Sequence, residues 1–176
     1  IRPPPRSTLF PYTTLFRSDG SIFCLMRAYR PLGKMYQTTS SDGGITWADP
    51  EPGVLPNPDG GFQMIRLLSG NIAIIYNHSS TVRNPLSIAI SEDDGHTWTY
   101  RRNICEFHKD SPNYEEENFQ YPTITQSNDG LIHATWSNGH MDTTRGIAKK
   151  VTDIQYTTFT EDWVKEKKYF ENEWEL

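Results

Sequence analysis

The chain has little of what would place most proteins in a class. Two cysteines in 176 residues, Cys24 and Cys105, cannot build a disulfide framework. Cys24 sits in the apolar run Ile22-Phe23-Cys24-Leu25-Met26 and is expected to be a buried thiol. No segment approaches the roughly 20 apolar residues of a membrane-crossing helix, so no membrane span is expected. There is no run of basic residues and the net charge is −5, which argues against nucleic acid as the main partner. Lys149-Lys150 and the lysines from Lys165 to Lys168 are short clusters near acids and read as solvated faces. No paired His, Cys or Asp spacing suits a metal, and no cofactor is expected. No stretch sustains an apolar period of 3.6, which argues against helices as the main element.

What the chain does have is turns and strands. It carries 12 Gly, 12 Pro and 22 aromatic residues, a composition that suits many short strands joined tightly. One eight-residue pattern, S-x-D-x-G-x-T-W, occurs twice. The copies are Ser40, Asp42, Gly44, Thr46 and Trp47, then Ser91, Asp93, Gly95, Thr97 and Trp98, 51 residues further on. A period near 50 with Gly-rich turns is the signature of a radial β-repeat. Three segments share the plan of strand, Gly turn, strand, loop, strand, box and strand. Their first strands begin near Ser21, Phe62 and Tyr121, and Asp19-Gly20, Ser69-Gly70-Asn71 and Asn128-Asp129-Gly130 mark turns. Thr160-Glu161-Asp162-Trp163 reads as a degenerate third box. Four strands in about 50 residues make one propeller blade, so the fold class is all-β. Asp and Thr in the box suit a turn that bonds its own backbone, with Trp anchoring it. The box is therefore a structural element and not the chemistry.

Residues 1–18, IRPPPRSTLFPYTTLFRS, differ in character and resemble the in-frame translation of a sequencing-library adapter. They are set apart from the fold as non-native. On that reading the true upstream sequence is missing, and the localisation, extracellular or periplasmic among the options, stays unassigned.

The twin boxes resemble those of the sialidase superfamily of six-bladed β-propellers. Asn57-Pro58-Asp59-Gly60-Gly61, Ile75-Tyr76-Asn77-His78, Arg83-Asn84-Pro85-Leu86 and Gln120-Tyr121-Pro122 bring it closest to the bacterial BNR-repeat, sialidase-like group. The resemblance implies that residues 19–176 are the C-terminal half of such a propeller, about three blades of six. It implies a glycan substrate bearing a carboxylate, gripped by arginines whose forked guanidinium matches that group. Arg27, at the end of a strand, stands where the family has its second arginine, and Arg83, in a loop, where it has its third. Tyr121 stands at the place of the Tyr nucleophile, the exception among glycosidases. The family's Glu partner would fall inside residues 1–18. Its first arginine and its acid/base Asp belong to earlier blades. No acid stands near Trp136-Ser137 for a further family Glu, and Pro122 replaces the Ser that commonly follows the Tyr. The chain alone is expected to be inactive and, with unpaired strand edges, prone to aggregation.

Other candidates come from the residues themselves. His78 and His140 read as loop histidines that a lyase could use as a base or that could touch substrate. Glu115, Glu116 and Glu117 precede Tyr121 and could bring an acid to the rim. Three activities follow: a sialidase-like hydrolase with a retaining mechanism, a lyase or hydrolase of uronic-acid glycans, and a non-catalytic glycan-binding propeller.

Overall fold

The computed structural model describes residues 12–27, 32–108, 110, 117–142 and 149–166. Eleven strands in these residues form three antiparallel sheets, each following chain order. Sheet A holds β1 (Tyr12–Phe16), β2 (Ile22–Arg27), β3 (Lys34–Ser40) and β4 (Glu51–Pro56). Sheet B holds β5 (Gln63–Arg66), β6 (Ile72–Asn77), β7 (Leu86–Ser91) and β8 (Tyr100–Cys105). Sheet C holds β9 (Asn118–Gln126), β10 (Ile132–Asp142) and β11 (Lys149–Phe159). Each sheet is a meander of the kind that makes a propeller blade, and the all-β expectation of a partial propeller holds.

Sheet B lies between the other two, and its sequence shows why. Every residue of β6 and β7 is buried. Side chains alternate along a strand, so Ile72, Ile74 and Tyr76 pack with Phe23, Leu25 and Met35 of sheet A. Ala73 and Ile75 instead join Ile132, Ala134 and Trp136 of sheet C. A strand covered on both sides reads as a continuous apolar run, which is the run Ile72 to Tyr76.

Four details depart from the sequence reading. Residues 12–16, set apart from the fold, form β1 and pair with β2 from Tyr12↔Met26 to Phe16↔Ile22. A Tyr-Thr-Thr-Leu-Phe stretch has high strand propensity whatever its origin, and it caps an otherwise unpaired edge. Thr160-Glu161-Asp162-Trp163 is no box turn. Thr160 caps α1 (Glu161–Lys165), its side chain accepting from the Trp163 N–H, with Glu161 and Asp162 favourably placed in the first turn. His140 lies within β10 and not in a loop, because pairing with β11 carries the strand on to Asp142. Finally, Trp98 is buried, but Trp47 is 41% exposed and anchors its turn chiefly through an Nε1–H bond to the Gly44 carbonyl.

The strand registers give every sheet two distinct ends. Ile22 pairs with Ser40 and Ile72 with Ser91, so both boxes lie at one end. Arg27, Asn77 and Arg83 lie at the other. The boxes work as turn clamps. Asp42 Oδ1 accepts from the Thr46 N–H at 2.9 Å, and Gly44 N–H donates to Ser40 Oγ at 2.9 Å. In the second box Thr97 N–H donates to Asp93 Oδ1 at 2.7 Å and Gly95 N–H to Ser91 Oγ at 2.8 Å. The hydroxyls of Thr46 and Ser40 hold the Asp42 carboxyl well down, to about 2. Cys24 is buried, 4% exposed, and burial pushes its thiol up to about 11.

Candidate functional site

The arginine end is organised by the segment Asn57-Pro58-Asp59-Gly60-Gly61, which links sheet A to sheet B. Asn57 is buried, and its side chain clamps Gly60 in both directions. Its Oδ1 accepts from the Gly60 N–H at 3.0 Å, and its Nδ2 donates to the Gly60 carbonyl at 3.1 Å. The turn this makes holds Asp59 at φ 58°, a left-handed state that Asp tolerates better than most residues. Gly60 then passes so close to β6 that a Cβ there would stand 2.6 Å from Asn77 Oδ1. Asn77 is fully buried and cannot move aside; its Nδ2 donates to the Phe119 carbonyl at 3.2 Å.

Two cations converge on this turn. Arg83 donates from Nη2 to the Asp59 carbonyl at 2.9 Å. Arg27, the last residue of β2, reaches the same oxygen from Nη1 at 3.5 Å, and its Nε lies 3.5 Å from Asp59 Oδ1. The structure thus brings together two arginines that are 56 positions apart in the chain. The Arg83 loop is itself pinned. The Arg83 carbonyl accepts from the Phe119 N–H at 2.9 Å. Asn84, buried, exchanges two bonds with the Phe107 backbone at 3.0 and 3.1 Å.

Tyr121 stands beside the same turn: a Cβ on Gly61 would be 3.6 Å from Tyr121 Cα. The sequence reading opened a strand at Tyr121, whereas β9 starts three residues earlier and carries Tyr121 at an irregularity in its pairing with β10. Tyr121 has φ 49° and its side chain is exposed. A bulky residue held in the left-handed region costs of order 1–3 kcal/mol, and such strain clusters at functional sites.

His78 follows β6 and faces inward. Its Nδ1 lies 2.6 Å from the hydroxyl of the fully buried Tyr76. Burial first, and the Arg101 charge second, push its pKa down to about 3, so the ring is neutral at physiological pH. His140 sits apart from Arg27 and Arg83 in the hydrogen-bond pattern; its Nδ1 is 3.7 Å from Asp153 Oδ2. Glu117 is half-buried, and Glu115 and Glu116 lie outside the described residues. Among the described residues no three His, Cys, Asp or Glu side chains gather as a metal site.

The box residues Ser40, Asp42, Gly44, Thr46, Trp47, Ser91, Asp93, Gly95, Thr97 and Trp98 are at the far end of the sheets. So is a cavity of about 330 Å³ lined in part by Arg17, Asp19, Thr39 and Thr46. Charge converges at both ends, since at the box end Arg17 Nε donates to the Asp94 carbonyl and Arg66 Nη2 to its carboxylate, but the arginine end also holds Tyr121 beside its two arginines. The sequence points to Arg27, Arg83 and Tyr121, and offers Asn57 and Asp59 only as members of the segment Asn57-Pro58-Asp59-Gly60-Gly61. The signal available for them was the density of turn formers in five consecutive residues.

Residues 7–134 match a family model described as a BNR repeat-like domain. No curated protein matches the chain. Among solved structures, the intramolecular trans-sialidase from Ruminococcus gnavus superposes with a TM-score of 0.63 at 19% identity, over 88% of this chain and 33% of that one. The leech intramolecular trans-sialidase gives a TM-score of 0.62 at 16% identity, over 87% of this chain and 24% of its own. A polysaccharide lyase, an ulvan lyase of family PL25, gives 0.61 at 16% identity, over 91% and 41%. The chain therefore spans between a quarter and two-fifths of these proteins, and at such identities the likeness concerns the fold.

Proposed function

The chain belongs to the BNR repeat-like domain family, and on that footing we propose that its arginine end binds the carboxylate of an acidic sugar in a sialidase-like glycoside hydrolase. The observation that carries this reading is the convergence of Arg27 and Arg83 on one oxygen atom. Two guanidinium groups held side by side by one fixed backbone oxygen keep further N–H donors for an anion, and a planar carboxylate fits that fork. Residues 19–176 would then be the C-terminal half of a longer propeller, with the remaining blades supplying the rest of the site.

In this reading the two arginines fix the sugar and Tyr121 attacks its anomeric carbon. The phenol proton passes to a carboxylate, the Tyr–carbon bond forms as the glycosidic C–O bond breaks, and an acid protonates the departing oxygen. Water then releases the sugar with net retention. A phenol is apt because, unlike a carboxylate, it is not repelled by the anionic substrate. The strained backbone and exposed ring of Tyr121 support the role.

A second reading has an observation of its own. His78 Nδ1 meets the Tyr76 hydroxyl at 2.6 Å, an imidazole–phenol pair that could relay a proton, and a lyase takes a proton next to a uronate carboxylate. The likeness to the ulvan lyase supports keeping it.

Binding to the 176-residue chain tests the shared premise. N-acetylneuraminate should bind and its methyl ester bind at least tenfold more weakly, since a charge-assisted hydrogen bond contributes about 1.5–3 kcal/mol. Arg27→Ala and Arg83→Ala should each weaken binding by a similar factor. Equal affinity for acid and ester would remove the reading. In a longer parent chain, a fluorogenic sialoside separates the mechanisms. Turnover lost in Tyr121→Phe supports the hydrolase, while an ultraviolet-absorbing unsaturated product from a uronic-acid glycan supports the lyase.

A further inference from the structure

Asp59 is not among the groups that the arginine reading requires, yet it touches both arginines. Its carbonyl serves Arg83 at 2.9 Å and Arg27 at 3.5 Å, and its carboxylate faces Arg27 Nε at 3.5 Å. The two kinds of contact differ in what holds them. The carbonyl is fixed by the Asn57–Gly60 clamp and the left-handed backbone, so it cannot leave. The carboxylate is 46% exposed and on a rotatable side chain, so it can swing into water. Both Arg27 contacts are long compared with the 2.7–2.9 Å of a good charged hydrogen bond.

We propose that Asp59 is a built-in anion that competes with the incoming carboxylate for Arg27 and so sets the affinity and charge selectivity of the site. This rests on the carboxylate-binding reading above. In the ligand-free protein the Asp59 carboxylate offsets the mutual repulsion of the two arginines and keeps Arg27 near its working position. A sugar carboxylate that binds both guanidinium groups at short range displaces it. Arg27 Nε exchanges Asp59 Oδ1 for the ligand, and the Asp59 side chain moves out to solvent. A neutral sugar has no charge with which to make this exchange, so Asp59 discriminates against it. A role confined to shaping the turn would need only a residue that tolerates the left-handed backbone, and Asn or Gly would serve it as well as Asp.

The test is binding of N-acetylneuraminate to the 176-residue chain and its variants. Asp59→Asn keeps the shape and tolerates the left-handed backbone while removing the charge, and Asp59→Gly removes the side chain altogether. Each should bind the acid about fivefold more tightly at low salt, the effect of one charge at about 4 Å in a water-like dielectric. The gain should shrink at 0.5 M salt, and affinity for the methyl ester should rise far less. A ligand-free readout stands beside it: the Arg27 Nε–H proton should exchange faster in Asp59→Gly than in the parent chain. Unchanged affinity in both Asp59 variants, where Arg27→Ala and Arg83→Ala do weaken binding, overturns this proposal alone. Unchanged binding in the arginine variants overturns the carboxylate reading instead. If no variant binds the probe, equal Arg27 exchange rates in Asp59→Gly and the parent chain refute the contact itself.

Discussion

Acidification from pH 7 to pH 5 should cost the fold about 2 kcal/mol through one histidine. His78 is half-buried against Tyr76, where burial and the Arg101 charge hold its pKa at about 3 against an ordinary 6.5. The folded chain thus refuses a proton that the unfolded chain accepts. The stability this represents is complete above pH 6.5 and drains away as pH falls toward 3. For a single group with these values, linkage gives a loss of about 2 kcal/mol between pH 7 and pH 5. The carboxyls of Asp42 and Asp94, each held down to about 2, act only below roughly pH 4 and leave this window clear. The assay is urea unfolding followed by tryptophan fluorescence at half-unit pH steps, in dilute protein because the pI is about 5.5. His78→Gln serves as the control: whatever its absolute stability, its slope over this window should flatten. The imidazole carbon-bound proton that disappears from the spectrum in this variant should hold its neutral shift down to pH 4.5 in the parent chain. A flat stability profile in the parent, or an equal slope in His78→Gln, would refute the reasoning.

Two further substitutions probe the fold that carries the site. Gly60→Ala should lose about 1–3 kcal/mol in urea unfolding, because its Cβ would press on a buried Asn77 that has nowhere to go; a change below about 0.3 kcal/mol would disprove that close approach. Ser91→Ala should lose about 1–2 kcal/mol, since the Gly95 N–H and Asp93 both lose a buried partner. A stable second box after that change would show that its hydroxyl is dispensable.

How much the sequence disclosed depended on how local the cause was. The box turns were legible because the bonds that clamp them, Gly N–H to the Ser hydroxyl and Thr N–H to the Asp carboxylate, span only four residues in each copy. Strand β6 was legible because burial on both faces leaves the unbroken apolar run from Ile72 to Tyr76, whereas the equally buried β7 is interrupted by Ser87. The full length of β10 was not legible, because Ser137-Asn138-Gly139 consists of residues that favour turns. In the fold these residues pair with β11 as Ser137↔Ile154, Asn138↔Asp153 and Gly139↔Thr152, and that pairing overrides their preference. Arg27 was legible as the polar end of an apolar strand. That it shares an acceptor with Arg83 was not, since only the packing of sheet A on sheet B brings positions 27, 59 and 83 to one point. Asp59 was missed for the same reason.

The central position of sheet B has a consequence for how the molecule responds to change. Ile74 and Ile75 are adjacent in the chain yet belong to different cores, one shared with sheet A and the other with sheet C. Neither core can relax without moving the backbone that serves the other. A shift of β6 that fills a void on one side opens one on the other, so adaptation at one seam is constrained by fit at its neighbour. The arginine end inherits this constraint, because Arg27 hangs from sheet A, Arg83 from sheet B and Tyr121 from sheet C. Their spacing is then a property of how the three sheets are stacked, and substitutions far from the site, in β6 or β7, become a way to tune it.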